Sequence, residues 1–441
     1  MNIRNPLLPL ITLAALLLTS PVFSKQIQLD VDLATPVIKA EQKQKAFIKV
    51  SLTGYEQLSV EQRIPANIAL VLDKSGSMSG EKMAYAKQAA TLAVERLNAD
   101  DILSIITYDT GVEVVVPATK LTNKAQVIKA IQQIQPNGST ALFAGVSQGA
   151  AEIRKFMDKN KVNRVILMSD GLANVGPQSP SELGQLGMAL GREGMSVTTI
   201  GLGLGYNEDL MTQLAGYSDG NHAFVENAAD LATIFQYEFG DVLSVIAQDV
   251  DIEIQCKNGV KPIRVLGRQA DILGNRVNTS LSQLYSEQEK YLLLEVEVPA
   301  QQSTQALQVA DVTVNYHNLH AKKRDQLTEV ALVRFSSSDS EVRSAINTPV
   351  YEAAVQQVAN EASKKAIDLR DKGDVKQAQD VLSKNASYLR QEAAALGGSQ
   401  ALEEQASESI EDAEKLESTN WNRTRKELKA KQYKVEKQQS Y

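Results

Sequence analysis

The chain is short of the residues that most often carry covalent cross-links or catalysis. Its 441 residues include one cysteine, Cys256, so no disulfide can close within it. A large extracellular animal protein would more often carry several, and a cysteine-poor exported chain fits a bacterial periplasm better. Cys256 lies on the apolar side of an alternating run and reads as a buried, inert thiol. Histidine is almost as scarce, with three copies. His222 stands alone, and His317 and His320 sit three apart in an extended run, where they face opposite sides and chelate poorly. No His-Glu-x-x-His, Gly-x-Ser-x-Gly or Cys–His pairing occurs. Basic charge is not in excess: 46 Lys and Arg stand against 53 Asp and Glu, a net charge of −7, so nothing global argues for a nucleic-acid partner. Beyond the N-terminus there is no run apolar enough to cross a membrane.

The N-terminus is the exception. Arg4, the mostly apolar stretch 7–18 and Pro21-Val22-Phe23-Ser24 read as a secretory signal peptide over residues 1–24, cut before Lys25. The alternative is an uncleaved anchor, which the short apolar core and its prolines disfavour. No cysteine follows the core to take a bacterial lipid anchor. The expected location is periplasmic or secreted.

Hydrophobic periodicity divides the rest. In 25–64, Ile27, Leu29, Val31 and Leu33 alternate with polar residues, as do Ile48, Val50 and Leu52, the pattern of half-buried strands. Over 65–240 the pattern becomes continuous apolar strands (67–72, 102–107, 112–116, 164–169, 196–201, 222–225) alternating with amphipathic helices (80–97, 123–133, 141–157, 181–193, 208–216, 228–238). Strands buried on both faces between helices make an α/β, doubly wound, mainly parallel sheet. In 241–336 alternation returns at 249–256, 261–267, 290–298, 307–316 and 328–335, a β-sandwich pattern. The strands before Pro65 are expected to complete that sandwich, which makes the α/β domain an insertion in it; a separate N-terminal hairpin is the alternative. Residues 337–441 are helical. Gly373 and Asp374 read as the C-cap and N-cap of a hairpin similar to one tetratricopeptide unit, with no second copy. Residues 403–417 then hold seven acids and one Lys, and 421–437 seven bases and two acids. Either the two halves attract one another, or the basic tail touches anionic lipid or a partner at the membrane surface.

Five residues stand out. Asp73-Lys74-Ser75-Gly76-Ser77 follows the run Ile68–Leu72; Thr140 ends the turn Pro136-Asn137-Gly138-Ser139-Thr140; Asp170 follows Val165–Ser169. Asp73 and Asp170 fall at carboxyl ends of parallel strands, where such sheets bind ligands. Asp73, Ser75, Ser77, Thr140 and Asp170 offer only hard oxygen, which suits Mg2+; Mn2+ and Ca2+ fit the same donors. Two charges neutralise one divalent ion and leave it able to take a further carboxylate. Gly76 permits the turn that aims both serines at one point, and Lys74 is expected to point away. Gly201-Leu202-Gly203-Leu204-Gly205 misplaces the third glycine of a dinucleotide loop and comes late in the sheet.

This Asp-x-Ser-x-Ser, distant Thr and later Ser-Asp-Gly resemble a von Willebrand factor type A domain with a metal-ion-dependent adhesion site. The resemblance implies direct metal contacts from Ser75, Ser77 and Thr140, largely water-mediated ones from Asp73 and Asp170, and a sixth position for water or a partner's Asp or Glu. The wider arrangement is similar to bacterial exported proteins grouped loosely with calcium-activated chloride channel regulators and inter-alpha-trypsin inhibitor heavy chains, although this chain has no pore-forming segment. The expected function is non-enzymatic, metal-dependent capture of a partner protein's carboxylate, with release through a shift of the domain's last helix. A scaffold or assembly factor acting through the sandwich and helical tail is the alternative. A metal hydrolase would need a base near the ion, and the sequence nominates none.

Overall fold

This computed structural model describes residues 26–56 and 63–439. The expected signal peptide therefore lies outside the described residues. Three strands come first: β1 (Ile27–Leu33), β2 (Val37–Lys39) and β3 (Gln44–Gly54). The α/β segment follows as β4 (Ala66–Asp73), α1 (Glu81–Arg96), β5 (Ile102–Tyr108), β6 (Val112–Lys120), α2 (Lys124–Gln132), α3 (Leu142–Arg154), β7 (Val162–Ser169), α4 (Pro180–Arg192), β8 (Ser196–Leu202), α5 (Glu208–Tyr217), β9 (His222–Val225) and α6 (Leu231–Leu243).

Its sheet runs β6-β5-β4-β7-β8-β9, parallel except for β6 at the edge. Alternation along β4 explains the two helical layers. Ile68, Leu70 and Leu72 meet α1, α2 and α6, while Ala69 and Val71 meet α3, α4 and α5. Each fully buried Leu or Ile contributes about 1.5–3 kcal/mol. The layer on the second side packs close, because a Cβ on Gly149 would stand 2.6 Å from Val71 Cγ2. The chain leaves β4 toward β5 on one side and returns to β7 on the other. The strand order thus reverses at β4, and a crevice opens beyond its carboxyl end.

The second part comprises β10 (Val245–Cys256), β11 (Lys261–Leu266), β12 (Asp271–Leu273), β13 (Arg276–Tyr285), β14 (Glu289–Val298), β15 (Ala306–Asn318) and β16 (Lys323–Ser336). One sheet runs β1-β3-β14-β11 and the other β12-β13-β10-β15-β16-β2. Ile48, Val50 and Leu52 of the first meet Ile252, Val312 and Val333 of the second in one core. The chain therefore leaves the sandwich after β3 and re-enters it at β10, with the α/β domain between. Cys256 is buried in that core, and burial pushes its thiol up to about 11.

Strands β2, β12 and β13 have no counterpart in the sequence reading. In β13 only Val277, Leu281 and Tyr285 keep an apolar rhythm, because Gln283 also points inward. Its Oε1 accepts from Arg164, and Tyr285 Oη lies 2.6 Å from the same guanidinium. This buried arginine at the start of β7 joins the two domains. The last helix of the α/β domain also differs from expectation. Residues 228–230 form a short 3-10 turn, and α6 continues to Leu243.

Helices α7 (Asp339–Ser344), α8 (Thr348–Asp371), α9 (Val375–Ala395), α10 (Gln400–Lys415) and α11 (Trp421–Lys437) complete the chain. Gly373, at φ 90°, turns α8 into α9; Asp374 holds the N-cap position without a side-chain cap hydrogen bond. The basic helix α11 pairs for the most part with residues outside α10. Lys431 reaches the acidic α10, pairing with Glu408 and Asp412. Arg423 pairs with Glu226, Arg425 with Glu208, Asp209 and Asp371, Lys426 with Glu208, Lys429 with Asp209, and Lys437 with Asp219. Tyr433 donates to Gly220 O at 2.7 Å. The helix is seated on the α/β domain. Among the described residues no helix is long and apolar enough to cross a membrane.

Candidate metal centre

Three loops meet at the carboxyl end of β4, and backbone hydrogen bonds stitch them together. Leu72 is in register with Met168, which brings Asp73 level with Ser169 at the ends of β4 and β7. Gly76 N–H donates to Gly138 O at 3.1 Å, and Asn137 N–H to Lys74 O at 2.7 Å. These bonds tie the Thr140 turn to the Asp73 loop. Thr140 N–H donates to Asn174 Oδ1 at 2.8 Å, and Asn174 N–H returns to Thr140 O at 3.1 Å, which ties the same turn to the Asp170 loop. Gly138 adopts φ 72°, and a Cβ there would meet Thr110 Oγ1 at 2.7 Å, so the turn requires glycine. Buried Met78 anchors the 3-10 turn Gly76–Met78 in the core.

The polar side chains form one chain of contacts. Asp73 Oδ1 accepts from Ser75 N–H at 2.8 Å, and its Oδ2 accepts from Ser169 Oγ at 2.6 Å. Ser75 Oγ lies 3.1 Å from Ser77 Oγ, which donates to Asp170 Oδ1 at 2.7 Å. Thr140 faces the same point: a Cβ on Gly171 would lie 3.3 Å from Thr140 Oγ1 and 3.4 Å from Ser77 Oγ. The structure thus brings all five sequence-selected residues together. Asp73, Ser75, Thr140 and Asp170 are buried, whereas Ser77 is exposed, so the cluster opens to solvent on one side. Leu172, 58% exposed, stands next to that opening in sequence.

Electrostatics follows from burial. Burial raises the Asp73 carboxyl, the Ser169 and Ser75 hydrogen bonds oppose the rise, and Asp170 adds to it. Burial, then Asp73, pushes the Tyr108 hydroxyl beneath them well up. Two carboxylates in this setting share one cationic partner, the Lys82 ammonium at Asp170 Oδ2, and three hydroxyls converge beside them. That donor set fits a hard divalent cation. Lys74 is turned to Asp109, at 3.0 Å, and to Glu113, at 3.5 Å. Among the described residues there is no cluster of three or more His, Cys, Asp or Glu suited to a metal.

Sequence reasoning named Ser169 and Gly171 within the Ser-Asp-Gly motif without giving them a role, and it missed Asn174 and Lys82. Ser169 orients Asp73, Asn174 holds Thr140, and Gly171 leaves room between two hydroxyls. Lys82 pairs with Asp170 Oδ2. The first three lie within four residues of Asp170. Lys82 is in the first turn of the helix after the Asp73 loop, a position that faces the strand ends. The remaining signals are structural. His222 is buried, with Nδ1 2.9 Å from Thr199 Oγ1, and burial lowers it to about 4. Gly201 lies under the ring of Tyr206, where a Cβ would clash at 2.3 Å. His317 Nε2 lies 3.0 Å from Asn160 Oδ1, across the junction between the two domains.

A family profile described as the von Willebrand factor type A domain matches residues 67–237. An uncharacterized protein of Escherichia coli, YfbK, is 28% identical over 215 residues, covering 48% of this chain and 37% of the relative. An uncharacterized protein of Synechocystis, sll0103, is 28% identical over 244 residues, covering 53% of this chain and 57% of the relative. Both matches thus span well under two thirds of the relatives' own length. The solved structure of a von Willebrand factor type A protein from Catenulispora acidiphila has the same fold, with a TM-score of 0.69 at 16% identity, covering 88% of this chain and 89% of that one. Strand order, loop geometry and these matches agree: the chain carries a von Willebrand factor type A domain at residues 67–237.

Proposed function

We propose that the chain is a non-enzymatic, metal-dependent protein-binding module of the bacterial envelope. Asp73, Ser75, Ser77, Thr140 and Asp170 would hold one divalent ion, Mg2+ by the hardness of the donors. The observation that carries this reading is the convergence of three hydroxyls and two buried carboxylates on one solvent-facing point. When bound, the ion supplies an electrophilic position for an Asp or Glu carboxylate of the partner. The protein residues position it: Ser169 and Ser75 N–H fix Asp73, and the Asn174 bonds fix Thr140. The Ser77 opening admits a side chain from outside. Among the described residues no histidine or cysteine lies in the cluster to act as base or nucleophile, which favours binding over turnover. Export to the periplasm or outside the cell belongs to this proposal and rests on residues 1–24 of the sequence.

Affinity capture from envelope extract tests it, with mature protein in Mg2+, in EDTA, and as Asp73→Ala. Retention of a protein by wild type in Mg2+ alone is the expected result. Equal retention under all three conditions would overturn capture at the metal and move the function to the sandwich and helices, as a scaffold.

A further inference from the structure

Lys82 is the second residue of α1, and its ammonium sits against the proposed metal cluster. Nζ is ion-paired with Asp170 Oδ2 and lies 3.4 Å from Ser77 O. The other oxygen of the same carboxylate accepts from Ser77 Oγ. The Asp170 side chain is 0% exposed and that of Lys82 35%. A buried carboxylate without a counter-charge is costly, and among the described residues Lys82 is the one cation paired with either carboxylate of the cluster. Its stem lies along the loop after β8, because a Cβ on Gly203 would stand 3.7 Å from Lys82 Cε. The ammonium thus has a fixed place at Asp170 and an open way out to solvent.

We infer that Lys82 is a tethered substitute for the metal, which neutralises Asp170 in the metal-free domain and gives up that carboxylate when a divalent ion is taken. The inference rests on the metal-binding reading above. Its basis is charge. The two carboxylates and one ammonium leave the cluster one negative charge, and a cation on Ser77 would stand close to Lys82. Like charges that close repel strongly outside bulk water. A monovalent ion gains nothing over an ammonium already in place, whereas a divalent ion gains one charge by the exchange. Lys82 is therefore a specificity-determining residue: it selects divalent over monovalent cations and weakens affinity for both. In the metal-free domain it also offsets the repulsion that would push Asp73 and Asp170 apart. Once displaced, its ammonium is free to meet a partner's carboxylate beside the metal.

Calorimetric titration with Mn2+ tests this on wild type, Lys82→Met and Lys82→Arg, with thermal midpoints in EDTA. Lys82→Met should bind Mn2+ about tenfold more tightly or better, and its EDTA midpoint should fall below that of wild type and recover in Mn2+. Lys82→Arg should keep the affinity of wild type within about threefold. Wild-type binding of Mn2+ with no gain in Lys82→Met would overturn the inference and leave the metal reading standing. Absence of Mn2+ binding by both folded proteins would overturn both. Should Lys82→Met not fold, reductive methylation of wild type decides. Lys82, followed by mass spectrometry, should label faster in Mn2+ than in EDTA, and an equal rate would overturn the exchange.

Discussion

Two acidic clusters lie along the same edge of the α/β sheet, and the protein treats them in opposite ways. Asp73 and Asp170, beyond β4 and β7, have hydroxyl neighbours and one paired lysine. Glu208, Asp209 and Glu226, beyond β8 and β9, face Arg423, Arg425, Lys426 and Lys429 of α11. The second cluster is neutralised by the chain's own helix and closed. The first is left short of positive charge and open. On the proposed metal reading, this difference and not composition separates the two, because both clusters look alike as acidic residues at strand ends.

The largest expected effect breaks the closed cluster. Lys426 is 2% exposed and pairs with buried Glu208. Lys426→Met leaves part of a buried charge uncompensated and should cost about 2–4 kcal/mol in urea unfolding. A loss under 1 kcal/mol would mean that the closed cluster is no firmer than the open one.

Glu238 of α6 is an intermediate case, buried beside Arg164 and yet not fully compensated. Burial pushes its carboxyl up to about 7, Arg164 opposes the rise, and Asp241 adds to it. The folded carboxyl keeps its proton to higher pH than the unfolded one. Its stabilising contribution is therefore complete below the ordinary value of 4.5 and lost as pH rises through about 7. His222 behaves in the reverse sense. Its contribution is complete above the ordinary 6.5 and lost as pH falls through about 4. Glu238→Gln should therefore gain on wild type by roughly 2 kcal/mol between pH 5 and pH 8 in urea midpoints. A pH-independent difference would show that Arg164 compensates Glu238 as completely as α11 compensates Glu208.

A smaller effect sharpens the account of the open cluster. Gly171→Ala adds a methyl 3.3–3.4 Å from Thr140 Oγ1 and Ser77 Oγ. It should weaken Mn2+ binding by about tenfold while leaving the thermal midpoint in EDTA unchanged. Unaltered Mn2+ affinity would mean that these two hydroxyls do not both face the ion. The smallest effect lies at the rim of the closed cluster. The Arg423 and Glu226 side chains are 50% and 31% exposed, so Arg423→Gln should change stability by less than about 0.5 kcal/mol.

Much of this was legible in the sequence because one physical pattern dominated. The continuous apolar runs of β4, β5, β7 and β8 leave no other use than strands covered on both faces, and the five oxygen donors sit at their ends. Strand β13 escaped because its inward Gln283 serves Arg164, a residue more than a hundred positions away. Lys82 escaped because nothing local distinguishes a helix-surface lysine from one that reaches a carboxylate 88 residues on. The seat of α11 escaped for the same reason. Charge in a sequence states how much must be balanced, and only the folded chain states by what.

The α/β domain enters after β3 and exits into β10, so two lengths of backbone connect it to the sandwich. A domain strung at a chain end would hang by one. Tension applied at the rim is divided between two connections, and a swivel about either is opposed by the other. The insertion thereby makes the domain a bracketed arm, its orientation set by two attachments and not by one.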